Sequence, residues 1–106
     1  MDNFSDMLSK AKAMQEKMKE AQDQIKKIEV EGEAGGSLVK VILSGDYEIK
    51  AINVSEEARK ETTEIINDLI IAAYNNAKEK LKKKSSEELS KATGGMNLPF
   101  DLKFPF

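Results

Sequence analysis

The sequence predicts an α+β fold: a long N-terminal helix, a three-stranded antiparallel sheet, a long second helix and an extended C-terminal tail. Two changes in hydrophobic period carry this prediction. Apolar residues recur at helical spacing in residues 1–27, at every second position in much of residues 28–54, and at helical spacing again in residues 55–93. With 106 residues the chain has the size of one domain, and residues 94–106 form its tail.

The first helix is predicted from a strict heptad seam. Its apolar positions are separated alternately by three and four residues, and good helix formers fill the positions between them. Asn3 is the expected N-cap, with Asp6 in the first turn, where negative charge favours the helix dipole. A helix over residues 4–27 would be about 36 Å long. The seam consists of Phe4, Met7, Ala11, Met14, Met18, Ala21, Ile25 and Ile28.

Three short strands are expected next. The segment "IKKIEVEGEA" alternates apolar residues with Glu29, Glu31 and Glu33, as in a strand with one solvated face. The segment "SLVKVIL" has apolar side chains on both faces, and "SGD" is a turn signal before "YEIKAINV". The apolar spacing breaks in this last segment, and a β-bulge near Lys50 or Ala51 would restore it. Short connections between consecutive strands predict an antiparallel meander.

The second helix is expected to begin at Ser55, whose hydroxyl suits an N-cap and which is followed by two acidic residues. Its broad apolar stripe is suitable for covering a sheet. The lysines of residues 78–84 suit a helix end there, but the pattern also continues to a stop at Gly94 and Gly95. In the tail, apolar residues alternate and two prolines occur. This pattern indicates an extended segment that is either docked on an apolar groove or loose.

Composition argues against most catalytic chemistry. The chain has neither cysteine nor histidine, which excludes disulfides, thiolate or imidazole metal ligands and most nucleophilic dyads. We therefore expect no enzymatic activity, no metal, no cofactor and no small-molecule substrate. No apolar run approaches the roughly 18 residues that a membrane span needs, and the N-terminus lacks the pattern of a secretory signal. A cytoplasmic location and no membrane partner are expected.

The glycine-rich stretch "VEGEAGGSLVKV" raises the question of a phosphate-binding loop. A Walker loop ends in Gly-Lys-Ser/Thr and opens a helix, whereas Lys40 follows the glycines by four residues and lies in a predicted strand. Gly35 and Gly36 are instead expected to form the tight link between the first two strands, since glycine readily adopts positive φ. Gly32 lies on an apolar strand face, where another element can approach closely.

A homodimer is expected because the first helix is too long for the sheet. A three-stranded sheet measures about 10 Å between its outer strands, so a helix of about 36 Å would extend beyond it and leave part of its seam in water. Such a seam normally meets another helix. The alternative is that the first helix folds back along the second within one chain. The predicted dimer interface comprises Met7, Met14, Met18, Ile25, Gly32, Val39 and Val41.

Positive charge is concentrated in one short segment of an acidic chain. The formal net charge is −2, yet "KEKLKKK" at residues 78–84 carries +4, while residues 28–64 carry −5. Lysine ammonium groups neutralise DNA phosphates without reading base sequence. The alternative is a solvated helix end that complements the helix dipole. The candidate DNA-binding residues are Lys78, Lys80, Lys82, Lys83 and Lys84, with Lys10 and Lys12 of the first helix as secondary candidates.

Five segments carry a family resemblance. In order, "MLSKAKAMQEKMKEAQ", "VEGEAGGSLVKVILSG", "IKAINV", "LIIAAYNNAKEK" and "GGMNLP" resemble the bacterial YbaB/EbfC family of nucleoid-associated proteins, from about Met7 to Pro99. The resemblance implies a helix–sheet–helix fold, an intertwined, tweezer-like homodimer and binding of double-stranded DNA through projecting helices. It also implies a location in the cytoplasm at the nucleoid. This chain departs from the more basic members in its acidity and its single arginine, Arg59.

Two further functions are weighed against nucleoid binding. In the first, the helical arms grip another protein, such as a replication or recombination factor, and the chain acts as an adaptor. In the second, the chain is an enzyme, which needs a cleft with convergent polar groups that the sequence does not show. DNA binding, with an influence on chromosome organisation and gene expression, is the preferred prediction.

Overall fold

The computed structural model describes residues 2–92. The predicted order of helix, antiparallel sheet and second helical region is confirmed, whereas the predicted C-terminal tail, with Gly94 and Gly95, lies outside the described residues. The elements are α1 (Asp2–Lys26), β1 (Glu29–Ala34), β2 (Val39–Ser44), β3 (Ile49–Val54), α2 (Glu56–Arg59) and α3 (Thr63–Ala92).

The first helix begins two residues earlier than an N-cap at Asn3 would allow. Because α1 starts at Asp2, Asn3 lies inside the first turn, and its predicted role as N-cap is wrong. At the other end, the amide of Ile28 donates to the carbonyl of Ile25 at 3.0 Å. This bond spans three residues, as in a 3₁₀ turn, and ends α1 just before β1 begins.

The sheet has the order β1-β2-β3, with both pairs antiparallel. Ile42 pairs with Ala51, whereas the next residue, Leu43, pairs with Ile49. Lys50 is therefore the extra residue of a β-bulge, as the broken apolar spacing predicts. The bulge keeps the apolar residues of β3 on one face.

Both strand connections follow from local chemistry. Gly35 and Gly36 have φ of 64° and 75° in the β1–β2 link, which confirms the predicted tight connection. In the β2–β3 turn, the hydroxyl of Ser44 accepts hydrogen bonds from the amides of Asp46 at 3.3 Å and Glu48 at 3.2 Å. The "SGD" turn is thus stabilised by its own serine.

The second helical region is divided in two. Ser55 caps α2, and its hydroxyl accepts from the amide of Ala58 at 3.1 Å, as predicted. However, α2 is only one turn long, and the hydroxyl of Thr62 accepts from the amide of Ile65 at 3.3 Å at the start of α3. From there α3 continues past the lysines to Ala92, so the longer of the two expected helix ends is observed.

The core lies between α3 and the first two strands. Small residues on α3 let the helix approach the sheet, and Gly32 of β1 lies directly against the α3 backbone at Ala73 and Ala77. Fully burying a valine or leucine side chain contributes about 1.5–3 kcal/mol. The completely buried side chains of this core are Val39, Val41, Leu43, Ala58, Ala73, Ala77 and Leu81.

The helices α1 and α3 pack together over only part of their lengths. Ala21 and Ile25 of α1 form a buried cluster with Leu89 of α3, and Met18 and Ala92 pack against it. The end of α1 therefore folds back along α3 in the same chain, as the alternative prediction has it. The rest of α1 projects, and the molecule measures 71 × 22 × 18 Å. None of the helices within residues 2–92 is both long enough and apolar enough to cross a membrane.

Candidate nucleic-acid interface

The five candidate lysines of α3 do not share one face. An α-helix turns by about 100° per residue, so Lys78 and Lys82, four residues apart, lie on one side. Lys80, Lys83 and Lys84 are separated by intervals of three and four residues that place them on another side. The run that looks like a single patch in the sequence is thus two smaller groups.

The group of Lys80, Lys83 and Lys84 faces β1 and has acidic residues beside it. The ammonium group of Lys80 donates to the backbone carbonyl of Glu31 at 2.8 Å, so it is engaged with the protein. All three lysines line a shallow depression whose other lining residues include Glu29, Glu31 and Glu87. Acidic residues next to these lysines lower the attraction of this side for phosphate.

Lys80 has a structural partner in Asn76, one turn earlier on α3. The amide of Glu33 donates to the side-chain oxygen of Asn76 at 3.0 Å. Together, Asn76 and Lys80 satisfy backbone groups on the outer edge of β1. These two contacts obstruct the edge for pairing with a further strand.

Three exposed lysines form a stripe along α1. Lys12, Lys19 and Lys26 recur at intervals of seven residues, which returns each of them to nearly the same side, about 10 Å apart. Gln15 and Gln22 flank the stripe on one side, and the acidic residues Glu16 and Asp23 flank it on the other. Lys12 is one of the secondary candidates predicted from the sequence, whereas Lys19 and Lys26 are not among the predicted residues. The seven-residue interval is the signal that could have found them.

The stripe and Lys82 lie on the same side of the packed α1–α3 pair. Lys17 of α1 and Lys91 of α3 line one cleft between the helices. Lys19 is rotated by about 200° from Lys17, and Lys82 is half a turn from Lys91. Both therefore point to the opposite side from this cleft. We call that side the lysine face, formed by Lys12, Lys19, Lys26, Lys78 and Lys82.

The structure thus divides the candidates of the sequence analysis. Lys12, Lys78 and Lys82 belong to the lysine face. Lys10, seven residues before Lys17, lies on the cleft side, and the other three candidates face β1 as described above. A role in DNA binding stays a prediction for every one of these lysines.

The ion pairs in the described part of the chain do not include any lysine of the lysine face. The pairs are Lys50 with Glu48 at 3.1 Å and Lys91 with Glu88 at 3.5 Å. Binding a phosphate at the lysine face therefore does not require breaking an internal ion pair. Within residues 2–92 there is also no grouping of three acidic side chains that could hold a metal ion.

The residues predicted for the dimer interface fall into two sets. Met7 and Met14 are 67% and 40% exposed, and Met18 is half-buried against the α1–α3 cluster. A contact with a second chain stays a prediction for these three. The remaining four are enclosed by their own chain and lie in its core: Ile25, Gly32, Val39 and Val41.

An apolar strip that was not predicted from the sequence lies uncovered along β3. Because α3 covers β1 and β2, Ile49 and Ile52 on the α3 side of β3 stay 47% and 44% exposed. Ile71 of α3 is 59% exposed and follows Ile70, which packs against the same buried cluster as Val54 of β3. We call Ile49, Ile52 and Ile71 the β3 strip.

Comparisons with a protein-family profile and with individual proteins point to the same family. The profile of the YbaB/EbfC DNA-binding family matches residues 1–96. A nucleoid-associated protein of Rickettsia typhi is 44% identical over 107 aligned positions that cover all of both chains. Nucleoid-associated proteins of Rickettsia prowazekii and Granulibacter bethesdensis are 43% and 39% identical, again over the whole of both chains.

Proposed function

The chain belongs to the YbaB/EbfC DNA-binding family, and on that premise we propose that it is a nucleoid-associated protein that binds double-stranded DNA as a homodimer. Binding would occur mainly through lysine–phosphate contacts, in the cytoplasm at the nucleoid, with consequences for chromosome organisation and gene expression. The observation that carries the proposal is the lysine face, because it is exposed along α1 and free of internal ion pairs.

The dimensions of the lysine face suit a DNA backbone. From Lys12 to Lys26 the stripe is about 21 Å long, and duplex DNA presents one negative charge per about 1.7 Å of axis. Lysine contacts neutralise phosphates without reading bases. The single arginine, Arg59, is on α2 and lies outside this face. We therefore propose binding with little sequence preference.

Acidic residues restrict which side can approach DNA. Glu29, Glu31 and Glu33 are exposed on the face of β1 that points away from α3. Like-charge repulsion from this row disfavours contact between DNA and the open face of the sheet. An overall net charge of −2 is thus compatible with DNA binding at the lysine face.

The homodimer is supported by the asymmetry of the two sheet edges. The outer edge of β1 is capped by Asn76 and Lys80. No hydrogen bond from elsewhere in residues 2–92 reaches the outer edge of β3, and the β3 strip beside it is uncovered. A second copy that packs its own β3 strip against this surface forms a two-fold symmetric, self-complementary contact.

Replacing Ile52 with glutamate should dissociate the proposed dimer, because two carboxylates would be buried near the two-fold axis. Light scattering should then report a mass near the 11.8 kDa of one chain instead of about twice that value. Ile65→Glu is the matched control. Ile65 is also 44% exposed but lies six residues from Ile71, about 120° around α3. Equal masses for the two variants would contradict this interface.

DNA titration at two salt concentrations tests the proposed function. If each lysine face contacts five phosphates, each bound face should contribute a few-hundredfold fall in affinity for a duplex between about 50 mM and about 200 mM salt. Fluorescence anisotropy measures the affinity, and light scattering on the same samples measures the stoichiometry. An interaction that does not weaken with salt, or no binding at the lower concentration, would count against DNA binding through lysines.

A protein-interaction adaptor is the second candidate function. The exposed apolar residues of α1 favour it, since Phe4 and Met7 are 69% and 67% exposed and a large apolar patch is typical of an interaction surface. Purification of a stoichiometric protein partner without nucleic acid would support the adaptor. We propose no catalytic activity, no cofactor and no small-molecule substrate, in keeping with the lack of histidine and cysteine.

A further inference from the structure

The apolar seam of α1 is covered over only its last third. Leu89 and Ala92 of α3 pack against Ala21, Ile25 and Met18, and the seam residues before Met18 have no comparable cover. The large side chains among them are 40% to 69% exposed. We call this uncovered part the free seam, formed by Phe4, Met7, Ala11 and Met14.

The direction of α3 brings the following chain to the free seam. Leu81 packs beside Ile28, at the exit of α1, whereas Leu89 packs beside Ala21 and Ile25. Rising residue numbers on α3 thus match falling numbers on α1, and the helices are antiparallel. At Ala92, the last described residue of α3, the helix is already in contact with α1 and points towards its N-terminal half.

The sequence after Ala92 has the pattern of a segment that covers an apolar groove. In an extended chain, alternate side chains point to the same side, which here would carry five large apolar residues. The prolines at 99 and 105 disfavour both a continued helix and a central strand. The five residues are Leu98, Phe100, Leu102, Phe104 and Phe106.

The tail is long enough to cover the free seam in its own chain. From Phe4 to Met14 the seam extends about 15 Å along α1. Leu98 to Phe106 in extended form spans about 26 Å, and the residues before Leu98 provide the turn. A tethered segment of this length acts at an effective concentration in the millimolar range, which favours it over a segment from another molecule.

We propose that residues 96–106 dock along the free seam of α1 in the same chain. The phenylalanine rings pack against the Met7 and Met14 thioethers, a favourable sulfur–aromatic contact. The lysine face stays open, because Lys12 is five residues from Met7 and about 140° around the helix. The tail thus covers the apolar side of α1, while the lysine side of α1 remains exposed to solvent. This proposal does not depend on DNA binding.

A paramagnetic label on the tail tests the docking directly. The chain contains no cysteine, so Lys103→Cys carries a nitroxide at a single site in the full-length protein. With carbon-13 methionine methyl groups, the signals of Met7 and Met14 should lose most of their intensity, and Met18, nearer to α3, should lose less. Adding the changes Phe100→Ser, Phe104→Ser and Phe106→Ser should restore the Met7 and Met14 signals, while unchanged circular dichroism shows that the chain stays folded.

Two controls decide between the tail and other occupants. A nitroxide at Arg59→Cys, on α2 near the opposite end of α3, should leave Met7 and Met14 unchanged, because α3 is about 45 Å long. In a mixture of nitroxide-bearing unlabelled chains and carbon-13 chains without nitroxide, the signals should also remain. Loss of signal in the mixture would mean that another copy covers the seam, and full intensity in every sample would mean that the tail does not dock. Either result overturns the proposal.

Discussion

Changing Lys12, Lys19 and Lys26 together to glutamate is expected to weaken binding to duplex DNA at low salt by about a hundredfold or more. Each chain would lose three phosphate contacts and gain three repulsive charges. The slope of log affinity against log salt should fall by about three per chain, since each lost phosphate contact lowers it by about one. Fluorescence anisotropy at several salt concentrations measures both quantities.

A matched charge reversal outside the lysine face shows whether affinity for DNA depends on contacts at that face or only on the net charge of the protein. Arg59, Lys60 and Lys91 changed to glutamate alter the net charge by the same amount, and Lys91 faces the cleft with its partner Glu88. This variant should bind DNA within a few-fold of the parent and keep its salt slope. Equal losses in the two triple variants would show that only net charge matters. A larger loss in Lys83→Glu with Lys84→Glu would move the interface to the side of α3 that faces β1.

Replacing Gly32 with valine is expected to lower the free energy of unfolding by about 3 kcal/mol, the upper end for overpacking a core. A β-carbon on Gly32 would overlap the backbone of α3 at Ala73 and Ala77, and neither backbone can move aside without separating the helix from the sheet. Urea unfolding followed by circular dichroism, at one fixed chain concentration, measures the loss.

Gly36→Ala provides the control for Gly32. The β-carbon at Gly36 would meet no atom within 4 Å, although its φ of +75° is unfavourable for alanine. The expected cost is therefore about 1–2 kcal/mol of backbone strain, without steric overlap. If both variants unfold at the same urea concentration, close packing between β1 and α3 is not what makes glycine necessary at position 32.

Many of the helices, strands and turns could be predicted because residues close together in the sequence determine them. The change of hydrophobic period marked each element, the broken spacing of β3 indicated the bulge at Lys50, and Ser55 indicated the start of α2. The break between α2 and α3 was missed, since the serine cap and the apolar stripe are both compatible with one continuous helix. Thr62, which caps the second start, is the signal that could have revealed it.

The candidate site depended on contacts between distant parts of the chain. Sequence shows that Lys80 lies in a cationic run, but only the packing of α3 on β1 places its ammonium group on the carbonyl of Glu31. In the same way, Val39 and Val41 read as possible interface residues until α3 is seen to bury them completely.

By itself, the sequence determined the order of the elements, the turns and caps, and the likeness to the YbaB/EbfC family, because spacing and side-chain chemistry act over a few residues. Only the tertiary structure decided which faces are covered. It left the β3 strip and the free seam exposed and divided the lysines between two sides. The physical reason is that a hydrophobic period shows which side of an element is apolar, whereas what lies against that side depends on residues far away in the chain.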